Sequence, residues 1–297
     1  MTPGQRRARR RRGLEFFGMT APALIAIVLF VEGPFLMSVA YSFTKWNGLD
    51  KAVKWVGLAN YAELLTNDRA LGNAMIFTFL FTAVALVAIN VIALGLALIL
   101  DMNIRGRNAL RAAFYIPNII SLIVIGYVWR FIFSRGFDSF GALTHWGLFQ
   151  LSWLGDSRLA GVSVILVSVW QAIGFYMVIY IAGLQTVPRE QLEAAVIDGS
   201  GPVRRFFHIT LPLIMPSVTV AVFYSLSNAL KTFDVIFSLT FGGPGLATTS
   251  IALDIYKTAF SDSRFGYGSA KSVVLFLIIL VLTVFQLNVF KRREVQA

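Results

Sequence analysis

Long apolar runs separated by shorter polar segments set the pattern of this 297-residue chain. The runs cover roughly residues 16–43, 72–100, 110–133, 161–184, 211–239 and 269–290. Each exceeds the ~20 residues with which a helix crosses the hydrocarbon core of a bilayer. The pattern predicts an all-α protein with six membrane-spanning helices, the third kinked at Pro117. Between the first two runs, Trp46 and Trp55 suit the interfacial aromatic belt, and Asn60–Leu65 reads as a short surface helix. Residues 134–160 read as a polar connection, and Gly242-Gly-Pro-Gly245 as a turn.

Composition agrees with a membrane location. The chain is 57% hydrophobic and 14% charged, against about 45–50% and 25% in soluble domains. There is no cysteine, which excludes disulfides and thiolate metal sites. The net charge of +11 clusters at the ends of the apolar runs, so it speaks for orientation rather than for nucleic acid. Segments 1–15, 101–109, 185–210 and 291–297 carry 14 Lys/Arg in 57 residues, the alternate segments 8 in 84. The positive-inside rule then places both termini and segment 185–210 in the cytoplasm. The arginines from Arg6 to Arg12 form a solvated tail suited to anionic lipid. The apolar run behind them is too long for a signal peptide and reads as a span.

Segment 185–210 is not built like an idle connection. Pro188 fits the first turn of a helix, and Glu190 and Glu193 fall near its positive end. Gly199 permits the left-handed residue that ends such a helix, and Pro202 is placed to begin a second. Phe206, Phe207 and Ile209 give that second helix an apolar face, and Pro212 marks the start of the fifth span. The segment reads as helix, glycine turn, helix, lying on the membrane surface.

Catalytic signatures are missing. No phosphate-binding Gly-x-x-x-x-Gly-Lys-Ser/Thr loop occurs, and His145 and His208 are expected on opposite sides of the membrane. The chain reads as a non-enzyme. Ionisable groups inside spans point to function by default, and few are present. Lys231 and Asp234, at i and i+3, could pair on one helix face, while Glu32 has no evident partner. Ser225, Asn228 and Thr232 form an uncharged stripe along the least apolar run. Trp170, Phe175 and Tyr176 on the fourth could stack on sugar faces. Interhelical hydrogen bonding is the competing reading for each polar residue.

The motif Glu193-Ala194-Ala195, with Asp198-Gly199 and then Ile209-x-Leu211-Pro212, resembles the EAA loop of ABC-importer permeases. Further similarities to the sugar type of that family are Gly57-Leu-Ala-Asn60-Tyr61, Phe233-Asp234 and Leu239-Thr-Phe-Gly-Gly-Pro244. The resemblance implies a type I importer permease fold, six spans with both termini inside, and a bacterial inner-membrane location. It divides the chain into a tail (1–15), a permease domain (16–290) holding the coupling loop 185–210, and a C-terminal tail (291–297). It makes Glu193, Ala194, Ala195, Asp198 and Gly199 the residues that couple to ATPases. ATP and magnesium would bind those partners and no cofactor this chain. Counting without gaps from the loop to sugar-contacting positions in the larger permease of the maltose transporter gives Gln171, Ala172, Phe175, Ser225, Asn228, Ala229 and Thr232, and Tyr176 joins them as a stacking ring. The implied partners are a second permease, two ATPases, an extracytoplasmic binding protein, lipid and an oligosaccharide. Glycerol-3-phosphate or a polyol is the alternative cargo. A secondary transporter is the rival class, disfavoured by the scarcity of intramembrane acids and the lack of an internal repeat.

Overall fold

The computed structural model describes residues 16–291; the tail 1–15 and residues 292–297 lie outside the described residues. The described chain is helical apart from one hairpin and divides into two compact units. The first holds the residues up to Asn67 and Ile255–Val274, the second Asp68–Asp254 and the residues from Leu275 on.

In the first unit, α1 (Phe16–Tyr41) buries none of its apolar window and carries a π-helical turn at Val28–Glu32. The strands Thr44–Lys45 (β1) and Lys54–Trp55 (β2) pair antiparallel and lead into α2 (Ala59–Thr66), the expected surface helix. Buried Asn60 donates to the carbonyls of Ser42 (2.8 Å) and Thr44 (2.9 Å), and the Tyr61 hydroxyl bonds Ser42 Oγ at 2.7 Å. The Asn60-Tyr61 pair therefore clamps α2 to the hairpin and satisfies carbonyls that the fold buries.

The second unit opens with α3 (Arg69–Asp101), capped where Asp68 accepts from the Leu71 amide at 2.8 Å. One face of α3 buries Ala74, Thr78, Ala85, Ala93 and Ala97, small residues at helical spacing. Such residues let helices approach closely within a membrane. The third apolar run is not one kinked helix. It breaks into α4 (Arg107–Ile119) and α5 (Leu122–Thr144), whose axes differ by 95°. Pro117 removes one backbone donor, and Ile120 and Ser121 then take extended backbone one turn later. α5 runs well beyond Phe133 because aromatic side chains bury the extension. Phe133 stacks on Trp153 at 5.4 Å, and Phe137 meets Phe149 edge-on at 5.0 Å.

α6 (Ser157–Leu184) packs along α3 and α4. Its N-terminus is capped by Asp156, and hydrogen bonds from the Leu159 and Arg158 amides hold that carboxyl below the usual range. α7 (Arg189–Ile197) and α8 (Pro202–Leu213) form the polar segment, and α9 (Met215–Leu230) follows after a 74° bend. Pro188 is the cap of α7 rather than part of its first turn. Leu211–Leu213 continue α8, so the fifth apolar run is a bent pair rather than one straight helix. Pro216 at the start of α9 cannot donate back across the bend, which fixes the break at Ile214.

The fifth run also ends early, at Leu230. Lys231–Phe233 are non-helical and α10 (Asp234–Leu239) starts afresh, with the Ser250 hydroxyl holding the Thr232 carbonyl at 2.7 Å. Lys231 and Asp234 thus share no helix face and form no ion pair among the described residues. The Gly242–Gly245 turn is present, followed by α11 (Ile251–Tyr256) and α12 (Phe265–Lys291). Four helices are individually long and apolar enough to cross a membrane, or six if each bent pair is one span.

Candidate functional site

Two features of the second unit hold the residues singled out in the sequence. The first is the polar segment. Its glycine turn follows from local hydrogen bonding: the Gly199 amide donates to Val196 O (3.0 Å) and the Ser200 amide to Ala195 O (2.9 Å). This closes α7 in a Schellman motif. Gly199 lies at φ +72°, where a side chain would strain the backbone, although a Cβ there would meet open space. Ala195 is buried, whereas Glu193, Ala194, Asp198 and Gly199 are exposed. Beside them Leu192, Glu193, Val196, Ile197 and Arg205 line a hollow of about 420 Å³. Apolar side chains in its wall stand without cover: Ile197 is 85% exposed and Val196 55%. An exposed apolar patch of this kind, rimmed by charge, has the composition of a docking surface.

The second feature is a cavity of about 420 Å³ among α3, the α4–α5 break, α6 and α9. Gln171, Phe175, Tyr176, Ser225, Asn228 and Thr232 all line it, together with Ala172 and Ala229. Its size lies in the range of small-molecule pockets, about 300–1,000 Å³. The side chains differ in what they have left to offer. Asn228 is exposed and lines the cavity beside Tyr176. The Gln171 amide, on a residue only 8% exposed, has no hydrogen-bond partner among the described residues. Ser225 is already committed. Its hydroxyl donates to Ala221 O (2.8 Å) and accepts from Asn90 Nδ2 (2.9 Å), so it serves the helix contact as well as the wall. Phe175 lies 5.7 Å from the Tyr224 ring. Trp170 is not in the lining. It packs edge-on against Trp129 at 5.5 Å instead, which corrects the stacking role expected of it. Lys231 and Asp234 both line the cavity and bring opposite charges to it.

Sequence reasoning passed over Asn90, Asn118 and Tyr180. Asn118 reaches the cavity only because α4 breaks just after it. Asn90 did carry a signal, being the sole carboxamide between residues 74 and 100. Among the described residues no three His, Cys, Asp or Glu side chains are grouped as metal ligands would be.

Long apolar helices, with up to two further spans formed by bent pairs, and a cavity of mixed polar and apolar lining in the second unit are the features of a helical membrane protein. The chain belongs to the family of binding-protein-dependent transport system inner membrane components, which it matches over residues 92–295. It is 40% identical to a probable starch degradation products transport system permease protein of Thermoanaerobacterium thermosulfurigenes, with 96% of this chain and 97% of that protein covered. It is 33% identical to a multiple sugar-binding transport system permease protein of Streptococcus mutans, covering 92% and 93% of the two chains. A chain of a bacterial ABC transporter that imports the acidic polysaccharide alginate superposes with a TM-score of 0.81 at 20% identity. It covers 95% of this chain and 96% of that one, and so shows the shared fold.

Proposed function

We propose that this chain is a six-span permease subunit, with both termini in the cytoplasm, of an ATP-driven importer for an oligosaccharide. The observation that carries the reading is the cavity: side chains from the two helices that flank the polar segment, α6 and α9, converge on it. The unpartnered amide of Gln171 and the exposed amide of Asn228 suit sugar hydroxyls, and Phe175 and Tyr176 offer rings for sugar faces. The sugar-related names of the relatives support the same cargo class.

In this reading the α7–Gly199–α8 segment seats on a cytoplasmic ATPase, with Glu193, Ala194, Ala195, Asp198 and Gly199 at the contact. ATP and magnesium stay on two such ATPases, a second permease completes the path, and an extracytoplasmic binding protein delivers the sugar. Because α6 and α9 lead directly into and out of the segment, displacing it tilts both walls of the cavity. That is a physical route to alternating access.

The test is substrate uptake by the assembled complex as a function of concentration, with complex yield measured in parallel. A hydrogen bond to a neutral group is worth ~0.5–1.5 kcal/mol net and an unpaired one costs ~1–3. Asn228→Ala should therefore weaken substrate handling by about one to two powers of ten, with yield preserved. Unchanged uptake, or a loss accounted for wholly by yield, removes Asn228 from the site.

A further inference from the structure

We infer that Asn90 is a positioning residue for the substrate cavity; this rests on the functional reading above. Asn90 lies on α3 and its carboxamide is used in full. Nδ2 donates to Leu86 O at 2.8 Å and to Ser225 Oγ at 2.9 Å. Oδ1 accepts from the Tyr180 hydroxyl at 2.6 Å. The Leu86 carbonyl can only accept, which fixes which end of the amide faces which partner. One side chain thereby ties α3 to α6 and to α9, the two helices whose residues meet across the cavity.

The tie lies at the edge of the site, with Ser225 in the cavity wall and Tyr180 and Asn90 behind it. Tyr180 is four residues beyond Tyr176 on α6, and Ser225 is three before Asn228 on α9. In helices these spacings stack side chains on one face. An inner layer, Tyr180–Asn90–Ser225, therefore bridges α6 to α9 next to Tyr176 and Asn228, which both line the cavity. Tyr180 and Ser225 are each 1% exposed and Asn90 is half-buried, so little water is at hand in this layer to replace a lost partner. Neither a leucine nor an aspartate reproduces it. Leucine has no polar atoms, and a carboxylate cannot donate to Ser225 or Leu86. The inner layer sets the separation of the two walls, and Asn228 meets the substrate at the geometry that separation imposes.

The experiment is a set of uptake measurements on the assembled complex, giving half-saturating concentration, maximal rate and yield. Asn90→Leu removes the whole tie, and Tyr180→Phe removes one hydroxyl while leaving the ring. The expected rises in half-saturating concentration are about tenfold and about threefold, with maximal rate and yield retained. In an Asn228→Ala background neither change should add more than about twofold, because residues acting through one contact are not additive. Multiplicative effects, or losses confined to yield, would make Asn90 a packing residue and overturn the inference. A normal Asn90→Leu beside an impaired Asn228→Ala overturns the positioning role alone. A normal Asn228→Ala fails the cavity reading first, and the positioning role falls with it.

Discussion

Gly199 illustrates how one residue can matter through backbone alone. Its φ of +72° closes α7, and no neighbour lies within 4 Å of where a Cβ would stand. Alanine there should cost roughly 1–2 kcal/mol of local backbone strain and leave the surface nearly flat. Tryptophan adds bulk on the exposed side, where the proposed ATPase contact lies. The prediction is graded: Gly199→Ala retains much of the uptake, whereas Gly199→Trp abolishes it while the protein stays in the membrane. Purified complex carrying Gly199→Trp with normal transport-linked ATPase activity would remove the segment from coupling. Gln171, Asn228 and Ser225 teach the complementary lesson. All three line the cavity, yet Ser225 has its hydroxyl engaged within the protein. Residue type and spacing group them and the structure brings them to one cavity, but the hydrogen bonds distinguish a side chain with donors left to offer from one already engaged.

At the scale of elements, the contact between α4 and α6 depends on Gly174. A Cβ at that position would run into the Phe114 carbonyl, and Tyr115 Cα would lie at 2.8 Å. Backbone cannot give way as a flexible side chain can, so Gly174→Ala must push the two helices apart. The expected result is a drop in thermal stability, measured on purified protein, larger than for Gly161→Ala, where the nearest atom is a ring carbon at 3.9 Å. Equal stability of the two variants would contradict this packing. The elements were legible in the sequence where apolar runs were long and uninterrupted: α1, α3, α6 and α12 all lie close to their expected limits. The helix–glycine–helix segment was legible too, because Gly199 and Pro202 punctuate it. The breaks were not. Hydropathy sums residues without sensing backbone, so Pro117 signalled a kink but not a 95° break into two helices, and the 74° bend before Pro216 left no mark on the run. The extension of α5 was hidden because aromatic stacking, not an apolar stripe, holds it.

For the whole molecule, the account stands on where the membrane lies. α6 is an unbroken helix of 28 residues, about 42 Å long at 1.5 Å per residue, enough to cross the hydrocarbon core of ~30 Å. In the proposed function its two ends lie on opposite sides of the membrane, with the α7–α8 end inside. The chain contains no cysteine, so single reporters can be added without background. The most direct measurement is labelling of Ser157→Cys and Gly199→Cys with a membrane-impermeant thiol reagent in intact cells and in inverted vesicles. The account predicts that Ser157→Cys labels in intact cells and Gly199→Cys only in inverted vesicles. Labelling of Gly199→Cys in intact cells would place the segment outside and contradict a cytoplasmic drive.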